Sequence, residues 1–211
     1  MTHYDWSLYL VTDRRLAGSC ALPDLVAAAV RGGVTAVQLR EKECAAREFI
    51  ELARTLKTLL APVGVPLIVN DRVDIALAAR ADGVHVGQSD MDCRDARRLL
   101  GPAAAIGLSV DNAEQALAAP PEADYLAVSP VFSTPTKIDT AAEWGLAGLA
   151  ALRRTTSRPL IAIGGIHSDN AARVIASGAD GIAVVSAICG APDPELAARI
   201  LRREIGRGRE G

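Results

Sequence analysis

The stretch PLIAIGGIHSDNAARVIASGADGIAVVSAI, residues 159–188, contains the pattern that decides the fold. It begins with an apolar run of strand length at 159–165, and a second such run follows at 181–188. The segment between them ends in Ala-Ser-Gly-Ala-Asp-Gly, where glycine is predicted to supply a left-handed helix cap just before the next strand. Both runs are continuously apolar, which is typical of strands buried on both faces and therefore of a parallel sheet covered by helices.

The same unit recurs along the whole chain. Similar junctions occur in GGVTAVQLR, which starts at Gly32, and in ARADGVHVG, which starts at Ala79. Between the strand-like runs, apolar residues recur at helical spacing. The runs lie at 8–13, 36–41, 66–71, 83–88, 104–110, 125–131, 159–165 and 181–188. Eight alternating units without an obvious edge strand favour an α/β fold, a closed (β/α)8 TIM barrel, over the alternative of a doubly wound open sheet.

The length and composition predict one domain. A chain of 211 residues is at the lower edge of what a complete (β/α)8 barrel needs, so a single barrel domain is expected over residues 1–211. Hydrophobic residues make up 50% of the chain and aromatic residues only 3%, which suits short buried strands and helices rich in small residues. The tail at 206–211 is predicted to be frayed.

Charge and cysteine content exclude several classes of partner. A formal net charge of -2 offers no long-range attraction to polyanions, so neither nucleic acid nor a membrane surface is a predicted partner. The four cysteines are scattered without a C-x-x-C pair, which is typical of reduced thiols in a cytoplasmic protein. No apolar run approaches the roughly 18 residues that a membrane span needs. A soluble, cytoplasmic protein is predicted, and the sequence leaves open whether its copies form a homo-oligomer.

Polar side chains interrupt the strands at their carboxyl ends, where a barrel places its active site. Gln38, Arg40 and Lys42 end the second predicted strand. Alternate residues of a strand point the same way, so these three are predicted to form one polar, cationic row at the barrel mouth. A single arginine or lysine could be a solvated loop charge, but three in one row suit a pyrophosphate and the edge of a heterocycle.

Carboxylates follow the next two strands. Asn70 and Asp71 end the third strand, and the loop after the fourth carries Gln88, Ser89 and Asp90. Two carboxylates at one rim, together with substrate phosphates, form a normal Mg²⁺ site, because this cation prefers oxygen ligands. Helix capping is the alternative, since each aspartate precedes a predicted helix. Opposite the basic row, metal binding by Asp71 and Asp90 is favoured.

The fifth and sixth strands add hydroxyl groups and one more cation. Ser109 ends the fifth strand, and the sixth opens into a long loop at 131–145 that contains Thr134, Thr136 and Lys137. A loop of this length inside a compact barrel is usually functional.

The last two strands predict a phosphate site. The seventh closes with Gly164, Gly165 and Ile166, and the eighth with Val185 and Ser186. Loops after strands seven and eight form the common phosphate site of barrels, where glycine lets main-chain N–H groups approach the oxygens. The pattern indicates phosphate binding but does not identify the rest of the ligand.

His85, on the fourth strand, is interpreted as an internal barrel side chain in preference to a general base. No Ser/His/Asp or Cys/His arrangement emerges, and no lysine stands in the apolar setting that Schiff-base chemistry needs. Covalent catalysis is therefore not predicted.

Taken together, these motifs resemble the thiamine phosphate synthase (thiamine-phosphate pyrophosphorylase) family. The resemblance runs from the first strand to the last helix, and the combination is specific even though IGGI alone is shared by many phosphate-binding barrels. In the family's order, the motifs are QLREK (38–42), VND (69–71), HVGQSD (85–90), GLS (107–109), TPTK (134–137), IGGI (163–166) and VVSAI (184–188).

The resemblance implies a transferase that joins 4-amino-2-methyl-5-hydroxymethylpyrimidine diphosphate to 4-methyl-5-(2-phosphoethyl)thiazole, giving thiamine phosphate and pyrophosphate. It implies a dissociative path with Mg²⁺ as cofactor, in which pyrophosphate leaves first and the thiazole nitrogen captures a pyrimidine methylene cation. The residues it assigns are Gln38, Leu39, Arg40, Glu41, Lys42, Asn70, Ser109 and Lys137 for the pyrimidine diphosphate; Thr134, Pro135, Thr136, Gly165, Val185 and Ser186 for the thiazole phosphate; Asp71 and Asp90 for Mg²⁺; and Lys137, Ser109 and Arg40 for catalysis.

Two departures from the family pattern concern the surroundings of the pyrimidine. Ser109 is followed by Val110 and Asp111 where a Thr-His or similar pair is common, and Ser129 replaces a frequent glycine. Neither removes an assigned ligand. Two other functions remain as alternatives, namely a thiazole tautomerase of the same fold, against which the basic row and paired aspartates argue, and a noncatalytic barrel that binds a phosphorylated metabolite.

Overall fold

The computed structural model describes residues 4–133 and 142–210. In these residues eight parallel strands close into a barrel in chain order, and β1 pairs with both β2 and β8. The predicted barrel is confirmed, and the open sheet is wrong. The strands are β1 (Leu8–Val11), β2 (Ala36–Leu39), β3 (Leu67–Asn70), β4 (Gly83–Val86), β5 (Ala105–Val110), β6 (Tyr125–Val128), β7 (Leu160–Ile163) and β8 (Gly181–Val184).

Helices cover the outside of the barrel and connect successive strands. Among the described residues, none of these helices combines the length and apolar character needed to cross a membrane. They are α1 (Leu22–Arg31), α2 (Ala46–Leu60) with a 3-10 turn at Ala61–Val63, α3 (Val73–Ala79), α4 (Cys93–Leu100), α5 (Ala113–Ala118), α6 (Gly145–Arg153), α7 (Ser168–Ala176), α8 (Ser186–Cys189) and α9 (Pro194–Glu210).

Most strands are shorter at their carboxyl ends than the apolar runs predicted. The second run was predicted over 36–41, but β2 ends at Leu39, so Arg40 and Glu41 belong to the following loop. The strands therefore end where the polar side chains begin, and those side chains stand at the barrel mouth.

The core has two parts, as expected for strands buried on both faces. The larger part lies between the barrel and its helices and includes Leu39, Phe49 and Val69. The smaller part fills the barrel interior, where Trp6 packs beneath the interior side chains with its ring centre 4.5 Å from that of Tyr125. The interior side chains are Tyr9, Val11, Ala36, Ile68, Ala105, Tyr125, Ile161 and Ala183.

Glycine at the helix-to-strand junctions has two different roles. Gly33 and Gly178 have φ values of 108° and 103°, as a left-handed position requires. In ARADG, however, Arg80 adopts the left-handed conformation with φ 53°, so the predicted glycine cap is wrong there. Gly83 already belongs to β4, where a methyl group would lie 2.0 Å from the Ala105 carbonyl oxygen. This glycine is needed for close strand packing and not for a turn.

The predicted fraying of the tail at 206–211 is wrong for residues 206–210, which continue α9. Gly208 is buried, and a methyl group there would lie 2.4 Å from the Ala172 carbonyl oxygen. Arg209 donates hydrogen bonds to the Ser7 hydroxyl and to the Asp180 carbonyl oxygen. The small size of Gly208 lets α9 pack closely against α7.

A repeated polar contact joins neighbouring strands at the amino-terminal edge of the barrel. The donors are main-chain N–H groups at or near the starts of β1, β3, β5 and β7. Each donates to a side-chain oxygen of the residue that directly precedes the next strand. Three of these side chains are aspartates, each paired with a cation from the helix of the preceding unit. The contacts are Leu8 to Thr35, Leu67 to Asp82 with Lys57, Ile106 to Asp124 with Arg97, and Leu160 to Asp180 with Arg153.

The substitution Arg97→Met is expected to lower the free energy of unfolding by about 2 to 4 kcal/mol, because it leaves the Asp124 carboxylate without its cation and several main-chain carbonyls without a donor. Arg97 donates to the Asp124 carboxylate at 2.7 Å and to the carbonyls of Gly101 and Glu122. Urea unfolding followed by circular dichroism measures the change.

Arg98→Met is the matched control on the same helix. Arg98 is exposed, and within the described residues its one ion pair is with Asp95. Loss of the Arg98 side chain should therefore lower the free energy of unfolding by less than about 0.5 kcal/mol. Equal destabilisation by the two substitutions would show that the Arg97 contacts contribute nothing specific.

Candidate active site

A cavity of about 830 Å³ opens at the carboxyl ends of the strands. It is lined by side chains from every part of the barrel, as the active site of this fold requires. Most of the described residues that the sequence assigned to the site are brought together here. They are Gln38, Arg40, Lys42, Asn70, Asp71, Asp90, Ser109, Gly165, Val185 and Ser186.

Two assigned residues do not line the cavity. Leu39 is fully buried between the barrel and its helices, because it points to the opposite face of β2 from Gln38. Glu41 pairs with Arg14 at 3.3 Å. Four further assigned residues, Thr134, Pro135, Thr136 and Lys137, lie outside the described residues.

Hydrogen bonds to neighbouring residues of the barrel hold the basic row in position. Gln38 is buried and donates from Nε2 to the Tyr9 hydroxyl at 3.1 Å. The main-chain N–H of Arg40 donates to the Thr12 hydroxyl, which anchors the loop just after β2. The Lys42 ammonium lies 2.5 Å from Asp71 Oδ2. The row therefore contacts one of the two predicted metal ligands directly.

Asp71 has a main-chain conformation that residues other than glycine rarely adopt, with φ 61°. Such a conformation costs on the order of 1 kcal/mol or more and tends to occur at functional sites. Its N–H donates to the His85 carbonyl at 2.8 Å, which holds this turn to the end of β4. The turn places the Asp71 carboxylate beside Lys42 at the cavity wall.

The capping alternative for the two aspartates is wrong. The residue at the start of α3 is Arg72, and no side chain caps that helix. The cap of α4 is Asp92, which accepts the Arg94 N–H at 2.8 Å. Asp90 instead accepts the N–H of Gly87 at 2.8 Å, across the loop that follows β4. Both carboxylates are therefore directed by their own loops towards the cavity.

The donor chemistry of this rim fits Mg²⁺. Asp71 and Asp90 supply carboxylate oxygens, and the amide of Asn70 and the hydroxyl of Ser89 lie nearby on the same wall. The described residues contain no group of three or more acidic, histidine or cysteine side chains that would form a closed protein site. Two carboxylates completed by substrate phosphate and water are the usual arrangement for Mg²⁺.

The wall formed by the ends of β7 and β8 contains the glycine pair Gly164 and Gly165. Gly165 has φ 63°, and a methyl group there would lie 2.7 Å from the Ser133 carbonyl oxygen. Its own carbonyl accepts from the Asn170 amide, which belongs to a capping box at the start of α7. Ser186 begins α8 on the neighbouring loop. Loops of this kind after strands seven and eight commonly bind phosphate.

His85 lies inside the barrel, as predicted, but it also reaches the cavity. It is 6% exposed, its Nδ1 lies 3.1 Å from the Tyr125 hydroxyl, and its Nε2 lies 2.9 Å from Ser109 Oγ. The Tyr125 hydroxyl in turn lies 2.9 Å from that of Tyr9. Burial raises the pKa of both tyrosines, so each remains a neutral hydroxyl.

Sequence reasoning missed both tyrosines. Tyr9 lies in an otherwise aliphatic strand and Tyr125 begins another, and either could be read as a hydrophobic core residue. One signal was available, since a buried tyrosine hydroxyl needs a hydrogen-bond partner. The partner could not be identified from sequence, because the two residues are 116 positions apart.

The cysteines have no part in the site. All four are free, and burial raises the pKa of Cys93 and of Cys189 to about 11. A thiol with a raised pKa is a poor nucleophile near neutral pH.

Comparison with known proteins gives one consistent family. A family model described as thiamine monophosphate synthase matches residues 8–188. A thiamine-phosphate synthase of Albidiferax ferrireducens is 58% identical over 199 residues, which cover 94% of this chain and 91% of that protein. Another, of Syntrophomonas wolfei, is 54% identical over 204 residues, which cover 96% of this chain and 98% of that protein.

A solved structure agrees in fold and in sequence. The thiamine phosphate pyrophosphorylase of Pyrococcus furiosus is 40% identical and superposes with a TM-score of 0.89, covering 97% of this chain and 98% of that chain.

Proposed function

Because the chain belongs to the thiamine monophosphate synthase family, we propose that its cavity joins 4-amino-2-methyl-5-hydroxymethylpyrimidine diphosphate to 4-methyl-5-(2-phosphoethyl)thiazole. The bond between the pyrimidine methylene carbon and the pyrophosphate oxygen breaks, and pyrophosphate keeps the electron pair. The thiazole nitrogen then forms the new carbon–nitrogen bond, which gives thiamine phosphate. The observation that carries this proposal is that the basic row, in contact with Asp71, and the carboxylate of Asp90 line the same cavity as the glycine-containing loops after β7 and β8.

Pyrophosphate departure requires neutralisation of negative charge. Arg40 and Lys42 line the cavity where they could contact the departing group, and Lys137 from the loop after β6 would add a third cation. Asp71 and Asp90 would hold Mg²⁺, which when bound supplies further charge neutralisation to the phosphate oxygens. The cations of this chain thus stabilise the leaving group, and no protein nucleophile is required.

The other residues orient the two substrates. Gln38, Asn70 and Ser109 would contact the pyrimidine diphosphate, since all three line the same cavity as Arg40 and Lys42. Gly165, Val185 and Ser186 would bind the thiazole phosphate, together with Thr134, Pro135 and Thr136. Placing the thiazole nitrogen next to the methylene carbon is itself a large catalytic effect, because capture of the cation then needs no diffusion.

A two-substrate assay tests the proposal. Mixing both substrates with Mg²⁺ and this protein should release pyrophosphate and form thiamine phosphate in equal amounts, and omission of either substrate should abolish product formation. Interconversion of thiazole isomers without pyrophosphate release would identify a tautomerase instead. Substrate binding without turnover by well-folded protein would indicate a binding protein.

A further inference from the structure

A chain of side-chain hydrogen bonds crosses the barrel interior beneath the cavity. It begins at Gln38 on β2, passes through the hydroxyls of Tyr9 and Tyr125 and the ring of His85, and ends at Ser109 on β5. The successive distances are 3.1, 2.9, 3.1 and 2.9 Å. Both ends line the cavity, so a group at one end of the chain is linked to a group at the other.

Each hydroxyl carries one proton, so the hydrogen bonds can all run in one direction. Gln38 donates from Nε2 to the Tyr9 oxygen, so the Tyr9 proton is available for Tyr125. When Tyr9 donates to Tyr125, the Tyr125 proton is donated to His85 Nδ1, and the His85 proton is then on Nε2, 2.9 Å from Ser109 Oγ. In this direction Ser109 accepts from His85, and its own hydroxyl proton is available to a group in the cavity that Ser109 lines.

We propose that Tyr9, Tyr125 and His85 are positioning residues that set the hydrogen-bonding polarity of Gln38 and Ser109 at the substrate cavity. Ser109 is thereby held as a donor, and Gln38 has its carbonyl oxygen left as an acceptor. This pair selects a heterocycle edge that offers an acceptor to Ser109 and a donor to Gln38. An aminopyrimidine has such an edge, with a ring nitrogen next to an amino group, and this assignment of the ligand rests on the proposed function.

The packing around the chain supports a defined geometry. Gly107 lies on β5, two residues before Ser109, and a methyl group there would lie 2.1 Å from Tyr125 Cζ and 2.4 Å from His85 Nδ1. The absence of a side chain at Gly107 therefore provides the space for the Tyr125 to His85 bond. Trp6 packs against Tyr125 from below, and the His85 ring stacks on Tyr125 with ring centres 5.6 Å apart. Both tyrosines stay neutral, as their raised pKa requires, so each keeps the proton that it donates.

A purely structural role would also require buried hydroxyls to have partners. Such a role demands bonds but no particular direction, since reversing the Gln38 amide would reverse every donor along the chain and satisfy the same groups. In the reversed chain His85 carries its proton on Nδ1, and Ser109 donates to His85 Nε2 and can only accept from a ligand. The tautomer of His85 therefore tests the direction that the proposal requires, and the effect on substrate binding distinguishes positioning from simple filling of the barrel.

Nitrogen-15 NMR of the substrate-free protein reads this tautomer directly. The protein has three histidines, and the His85 signals are assigned by their loss in His85→Gln. At about pH 8.5, above the ordinary histidine pKa of roughly 6.5, we expect the neutral tautomer with the proton on Nε2. In Tyr125→Phe, which removes the donor to Nδ1, the population should move towards the Nδ1 proton. An Nδ1 proton in the unsubstituted protein would overturn the proposal.

Steady-state kinetics test the consequence for substrate. In Tyr125→Phe we expect the KM for the pyrimidine diphosphate to rise about tenfold while the KM for the thiazole phosphate stays within about twofold. The reason is that Ser109, which is proposed to contact the pyrimidine, is then no longer held as a donor. Tyr4→Phe, which removes the hydroxyl of the remaining tyrosine at the bottom of the barrel, is the control and should leave both values unchanged. Equal changes in the two KM values, or none, would contradict the positioning role.

The two experiments keep the inference separate from the proposed function. The tautomer measurement needs no substrate, so it can succeed or fail whether or not the protein makes thiamine phosphate. If the unsubstituted protein releases no pyrophosphate, the assignment of an aminopyrimidine as the ligand is wrong. The direction of the hydrogen bonds is still given by the tautomer measurement.

Discussion

Asp71→Asn and Asp90→Asn should each raise the Mg²⁺ concentration needed for half-maximal activity by about 10-fold to 100-fold. Asparagine retains an oxygen ligand but loses the negative charge that attracts a hard cation. At saturating Mg²⁺ much of the activity should return, because the rest of the basic row is intact. A Mg²⁺ titration of pyrophosphate release measures the change, and Mn²⁺ binding followed by electron paramagnetic resonance measures it without turnover.

The control for this pair is Asp92→Asn in the same loop as Asp90. Asp92 caps α4 by accepting the Arg94 N–H, and asparagine caps a helix equally well. Its substitution should leave the Mg²⁺ requirement unchanged. If Asp71→Asn and Asp90→Asn behave like this control, the two carboxylates do not hold the metal.

Lys42→Ala is expected to have opposite effects on catalysis and on metal binding. The ammonium lies 2.5 Å from Asp71 Oδ2, so in the substrate-free protein it would compete with the proposed metal ion for that carboxylate. During the reaction it would neutralise charge on the departing pyrophosphate. We therefore expect kcat to fall by about 100-fold while Mn²⁺ binding in the absence of substrate becomes several-fold tighter.

Arg15→Ala is the matched control for the loss of a cation. Arg15 is exposed and pairs with Glu43, so its removal should change neither kcat nor Mn²⁺ binding. Weaker Mn²⁺ binding in Lys42→Ala would show that the lysine supports the metal site and does not compete with it. An unchanged kcat would remove Lys42 from the stabilisation of the leaving group.

The sequence predicted most of the cavity because strand periodicity is local. Gln38, Arg40 and Lys42 were placed on one face by their alternate spacing, and all three line the cavity. Leu39 and Glu41 came from a matched motif and not from periodicity, and their side chains lie elsewhere. Strand periodicity correctly separates Gln38 from Leu39, but β2 ends at Leu39, so the loop that follows it places Arg40 and Lys42 at the cavity.

The choice between metal ligand and helix cap could not be made from the sequence. Asp71, Asp90 and Asp92 each stand a few residues before a helix, and any of them could have been its cap. The structure assigns the α4 cap to Asp92 and places the other two at the cavity wall. Which aspartate caps the helix depends on the position of the first helical residue to within one or two positions. A helix boundary predicted from sequence is not that precise.

By itself the sequence determined the alternation of strands and helices, the positions at which polar residues end the strands, and the family. These features depend on residues two to four positions apart, whose side chains share a face in any strand or helix. Only the tertiary structure decided the closure of the barrel and the packing of Gly83 and Gly208 against neighbouring main chain. It also decided the series of hydrogen bonds from Gln38 to Ser109, because that series joins five residues from five strands, and Tyr9 and Tyr125 at its centre are 116 positions apart in the sequence.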